Sequence, residues 1–239
     1  MPCIIIRFKK IARYLLIVLL GIGIPSTIGY LITLQERAVS TTAPAPFYQG
    51  PGEKRRIALT VNVYWGEEYL PKMLQRLREN KVKATFFLGG QWVEKFPDLS
   101  RDIARDFEIG SHGYTHPHPD QLSLADNLTE ITRSETAIRR ATGRKPHLFA
   151  PPYGESGPAV LDAAYQADYR VILWSIDPVD WRNPPAAAIS GKIISKAHNG
   201  AIVLLHPTAP TVEALPAIIS ELTGRGFEFS TVSELLAGS

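Results

Sequence analysis

Five polar clusters in this chain each follow a short apolar run: TVNV (Thr60 to Val63), SHGYTH (Ser111 to His116), APPYG (Ala150 to Gly154), DPVDW (Asp177 to Trp181) and LLH (Leu204 to His206). His112 and His116 stand four residues apart, with Pro117 and Pro119 stopping any long helix beyond them. On one turn, two imidazoles at that spacing can point the same way and ligate one divalent ion. The competing reading is a turn that carries two solvated histidines. His206 ends an apolar run and precedes Pro207. A carboxylate such as Asp180 bonded to its ring would raise its pKa and make it a general acid near neutral pH. A satisfied core or rim histidine is the alternative. Trp181 offers either a sugar-stacking face or a core side chain. Pro151, Pro152, Tyr153 and Gly154 form a rigid loop, suited to lining a groove or to a purely structural role.

The elements that must position these clusters alternate along the chain. Strands are expected over 57–63, 84–88, 108–110, 147–150, 169–176, 201–205 and 227–231. Helices are expected over 67–80, 91–106, 124–142, 158–166, 185–198 and 212–223. Ser123 followed by Asp126 is a capping-box pattern, and Gly143 and Gly224 suit helix C-termini. Repeated strand–helix alternation argues for parallel strands covered by helices. About seven such units suggest a distorted (β/α) barrel, with a doubly wound sheet second. Each polar cluster falls at the C-terminal end of a strand, the edge where ligand chemistry gathers in such α/β folds. Convergence of five clusters on one pocket is stronger evidence than any single motif.

The net charge of +3 over 239 residues is unevenly placed. Arg7, Lys9, Lys10 and Arg13 lie before residue 14 without an acid among them, whereas acids outnumber bases after Arg56. The basic balance therefore does not point to nucleic acid. It flanks Tyr14 to Leu34, which carries no charge and is long enough to cross a bilayer as a helix. The expected organisation is a basic cytoplasmic flank (1–13), a transmembrane signal anchor (14–34), a Pro/Gly-rich linker (35–56) and one extracytoplasmic domain (57–239). The alternative is secretion after signal cleavage. Cys3 is the sole cysteine, which excludes an internal disulfide and a thiolate metal cage. No feature specifies an oligomeric state.

From Ile57 to about Leu236 the clusters resemble, in order, the motifs of the NodB-homology polysaccharide deacetylases of carbohydrate esterase family 4. Those motifs read TFDD, H[ST]xxxH, RxPxG, DxxDW and LxH. The resemblance implies a metal-dependent removal of acetyl groups from peptidoglycan, chitin or xylan, with zinc, cobalt or manganese as cofactor. It makes His112 and His116 metal ligands, His206 the catalytic acid and Asp180 its tuning partner. Pro152, Tyr153, Trp181 and Leu204 become substrate-binding residues. The stretch TVNVYWGEEYL further resembles a sporulation-associated subgroup from endospore-forming bacteria, which implies work on the cell envelope and a cell-wall polysaccharide partner.

Three departures fall on one functional unit. Asn62 stands where the catalytic base should be, and a carboxamide takes no proton from water near neutral pH. Val63 stands at the third metal ligand, and an isopropyl group does not ligate. Ala150 replaces the arginine that orients the base. The expectation is a domain with impaired or lost catalysis that binds cell-wall glycan. An active deacetylase with an atypical site and a non-catalytic structural envelope protein are the alternatives. For a surrogate base, His118, His147, Glu67, Glu68 and Glu155 lie near motif loops, and Glu155 is the first candidate.

Overall fold

The computed structural model describes residues 43–237. The expected anchor at 14–34 lies outside the described residues. Among the described residues no helix is long and apolar enough to cross a membrane. The described residues belong to one compact unit.

Among the described residues seven parallel strands form one sheet: β1 (Arg56–Val63), β2 (Ala84–Leu88), β3 (Glu108–Ser111), β4 (Leu148–Phe149), β5 (Arg170–Val171), β6 (Ala201–Leu205) and β7 (Glu228–Phe229). Their order is β5-β4-β3-β2-β1-β6, with β7 paired to the start of β1. The expected 169–176 strand is cut short because it changes partner. Its first residues pair with β4, whereas Ser175 and Ile176 donate to the carbonyl of Ile202 at 3.0 and 3.1 Å. That switch joins the two ends of the sheet into a distorted barrel. Phe47 helps to fill the seam, donating to Val171 and accepting from Leu173, and the Gly50 amide donates to Gly200. Residues 47–50, expected as linker, are thus tied to the sheet.

Covering helices are α1 (Leu70–Glu79), α2 (Gly90–Lys95), α3 (Pro97–Asp106), α4 (Leu124–Thr142), α5 (Pro158–Gln166), α6 (Ala186–Lys196), α7 (Ala209–Gly224) and α8 (Val232–Leu236). The expected helix over 91–106 breaks at Phe96, because Pro97 restricts that residue and lacks an amide proton to continue the ladder. The start of α7 is fixed by Thr208, whose hydroxyl accepts the Thr211 amide.

Strand alternation decides what reaches the site. Along β1, Ile57, Leu59, Val61 and Val63 join the large apolar layer shared with the helices, whereas Ala58 joins the inner cluster. Thr60 and Asn62 keep the inward parity of Ala58. On β6, Ile202 faces inward and Val203 and Leu205 outward. The register Thr60–Leu204 and Val61–Leu205, carried one residue further, sets Asn62 beside His206 at the open end of the barrel.

Candidate functional site

At that end lies a pocket of about 550 Å³ lined by Asn62, Tyr64, Trp65, His112, His116, Tyr153, Trp174, Asp177, Trp181, Leu204 and His206. All five sequence clusters contribute to it. Pro152 does not line it; this proline is buried behind the wall, at the start of the turn that presents Tyr153. His116, Tyr153 and Val179 hold positive φ values of 59, 60 and 62°. Such backbone is costly for non-glycine residues, most of all for a β-branched one, and concentrates at sites built for chemistry.

One half of the pocket is a closed hydrogen-bond network. The Asp180 side chain is fully buried. Its Oδ1 lies 2.8 Å from His206 Nδ1. Its Oδ2 accepts the His206 amide at 2.7 Å and the Thr211 hydroxyl at 2.7 Å. A buried carboxylate needs that many donors to offset its desolvation. The arrangement leaves His206 Nε2 as the working nitrogen, so the expected acid pair is assembled. Trp65 lies parallel to the His206 ring, 5.8 Å between centroids. Gly66 makes this possible: its φ is +81°, and a Cβ there would meet the Pro207 carbonyl oxygen at 2.2 Å.

The other half lacks such a network. Asn62 is buried, and its Oδ1 has no hydrogen-bond partner. Val63 is fully buried in the outer apolar layer and does not line the pocket. Ala150 packs in the inner apolar cluster, against which Trp174 also rests. Trp174 reaches over Gly154, where a Cβ would come within 2.7 Å of the indole. His112 Nδ1 donates to the Ala150 carbonyl at 2.6 Å, which leaves Nε2 as a lone-pair acceptor. Burial, helped by the neighbouring His116, pushes the His112 pKa down to about 3. Burial also lowers that of His116. The His116 ring is flanked by Tyr64 at 4.8 Å and Tyr153 at 4.9 Å.

The donor set does not fit the divalent ion implied by the resemblance. His112 and His116 remain adjacent, 4.9 Å between ring centroids. The third ligand position is an outward-facing valine. Among the described residues no group of three or more His, Cys, Asp or Glu side chains could hold a metal ion. Two imidazoles without a third ligand placed beside them make an incomplete site.

The surrogate bases fare no better. Glu155 turns away from the pocket, accepting from His118 Nδ1 at 2.7 Å and from the Asp120 amide at 3.1 Å. Its hydrogen bond from His118 holds its pKa below the usual carboxylate range. His118 stacks on Tyr153 at 3.9 Å outside the lining residues. His147 pairs with Asp168 at 3.5 Å, and Glu67 and Glu68 are also absent from the lining. Sequence reasoning missed Tyr64, Trp65 and Trp174 and gave Asp177 no role. The aromatic pair directly follows the two replaced carboxylate positions, and that adjacency was the available signal.

A family model described as polysaccharide deacetylase matches residues 49–172. YlxY of Bacillus subtilis is 40% identical over 194 residues, covering 81% of this chain and 61% of that protein. A peptidoglycan-N-acetylglucosamine deacetylase of Bacillus cereus is 33% identical over 198 residues, covering 80% of this chain and 72% of that enzyme. Among solved structures, BA3943 of Bacillus anthracis, described as a CE4 family pseudoenzyme, superposes with a TM-score of 0.79 at 38% identity, covering 81% and 69% of the two chains. A BA3943 mutant with restored enzymatic activity superposes with the same TM-score of 0.79 at 37% identity, covering 81% and 72%.

Proposed function

We propose, from the premise that the chain belongs to the polysaccharide deacetylase family, that it binds cell-wall glycan and does not deacetylate it. The observation that carries this reading is the fate of the water-activating half. Deacetylation needs a base to take a proton from water and an ion to polarise the carbonyl. Asn62 supplies no base, and Val63 faces away from the pocket into apolar packing. The comparison with a pseudoenzyme of the same family supports the reading.

What persists is a groove suited to sugar. Tyr153 and Trp181 are exposed at its mouth, where aromatic faces can stack on the apolar face of a pyranose. Relatives described as peptidoglycan-N-acetylglucosamine deacetylases make peptidoglycan the preferred polymer. Peptidoglycan lies outside the cytoplasm, so we place the domain on the extracytoplasmic side. Tyr14 to Leu34 would be its membrane anchor, and the work would be on the cell envelope, including that of sporulating cells.

The test is cosedimentation of the full chain, purified in mild detergent, with insoluble peptidoglycan. Binding is expected, and it should fall at least about tenfold in a Tyr153→Ala, Trp181→Ala double variant. No binding by the parent chain would overturn the reading. The intact His206–Asp180 pair favours a second reading, an active deacetylase with an altered site. Metal-dependent acetate release is its signature.

A further inference from the structure

We infer that the pocket recognises the protonated amine of a deacetylated hexosamine unit in preference to the acetylated sugar. This rests on the glycan-binding reading and names the chemical form of glycan bound. The base side of the pocket wall presents lone pairs without a partner. His112 gives its Nδ1 proton to the Ala150 carbonyl, so its Nε2 is an acceptor. The Asn62 Oδ1 is buried at the pocket wall with no donor, an arrangement that costs about 1–3 kcal/mol when left unmet. Asp177 also lines the pocket. Its Oδ1 accepts the Val179 amide at 2.7 Å, and no bond reaches its Oδ2 among the described residues.

Charge and ring placement point the same way. Among the described residues no lysine or arginine lines the pocket, whereas Tyr64, Trp65, Tyr153, Trp174 and Trp181 all do. Arg182 lies over the Trp181 ring at 4.7 Å and is not among the lining residues. Aromatic faces beside a carboxylate attract an ammonium group. A primary ammonium brings three donors and a positive charge. An acetamide brings one donor, no charge and a further carbonyl oxygen into a wall already rich in acceptors. Acetylation of an amine removes both the charge and its attraction for π faces.

The experiment is calorimetric titration of the full chain, in mild detergent at fixed ionic strength, with glucosamine tetramer and with N-acetylglucosamine tetramer. The amine form is expected to bind about tenfold more tightly. Asp177→Asn keeps an oxygen for the Val179 amide and should bring the two affinities within about twofold of each other. Trp65→Ala should narrow the same ratio. Equal or tighter binding of the acetylated tetramer overturns the inference and leaves the glycan-binding reading standing. Failure of both tetramers to bind also overturns the inference, whereas the glycan-binding reading stands or falls with the peptidoglycan cosedimentation. A preference that survives both Asp177→Asn and Trp65→Ala places amine recognition elsewhere and also overturns the inference.

Discussion

The two halves of the pocket differ in how they are tied to the rest of the protein. On the acid side, Asp180 holds the loop after β6 to the start of α7 through the His206 amide, the His206 ring and Thr211. Loss of any member leaves a buried charge or donor unpaired. On the base side, Val63 and Ala150 sit in apolar clusters, where small aliphatic side chains meet the needs of packing. Side chains that double as structural bonds are costly to remove. Positions enclosed in apolar packing accept small hydrophobes readily. The pattern of retention therefore reports structural coupling as much as function.

That contrast can be broken in four ways, in falling order of effect. Asp180→Ala should cost about 3–5 kcal/mol, because three donors lose a buried charged acceptor; urea unfolding of the full chain measures it. A loss below about 1 kcal/mol would mean that the network does not hold the acid side. Val63→Asp should cost about 2–4 kcal/mol at pH 7, since the outward parity of β1 buries the new carboxylate among hydrophobes. Added zinc should not recover that loss; full recovery would show that residue 63 can reach the pocket.

A third effect is a dependence on pH. His112 has its pKa lowered from 6.5 to about 3 in the fold. Between those values the unfolded chain takes up a proton that the native chain refuses, so stability falls as pH drops through this window. From pH 6.5 to 5 the loss from this group is about 2 kcal/mol, and His116 adds in the same direction. Unfolding curves at several pH values should show the slope, and His112→Gln should flatten it. The smallest effect belongs to Asn62→Leu, which removes a buried unpartnered acceptor. Its stability should stay within about 1 kcal/mol of the parent, in contrast to Asp180→Ala.

The sequence was most legible where period and chemistry agreed. The helix over 124–142 has the expected bounds, with Ser123 capping the Asp126 amide and Gly143 ending it at a φ of 72°. The polar clusters do meet at one end of the barrel. The seam was not legible. Phe47 lies in a Pro-rich stretch without alternation, and its pairing with Ile172 depends on barrel closure that no local pattern encodes. Glu155 was a reasonable surrogate base by proximity in sequence, but the left-handed backbone of Tyr153 and Gly154 precedes a side chain bonded to His118. Val63 was recognisable as a non-ligand; that it faces the helix layer follows only from the parity of the folded strand. The aromatic lining was hidden for another reason: Trp174 reads as one more apolar residue in ILWSI until the ring is seen above Gly154.

The most direct measurement is acetate release by the full chain from acetylated chitooligosaccharide and from peptidoglycan, with zinc, cobalt or manganese added. No release above the rate without protein is expected, for the parent chain and for His206→Ala alike. Metal-dependent release by the parent chain that His206→Ala abolishes would contradict it.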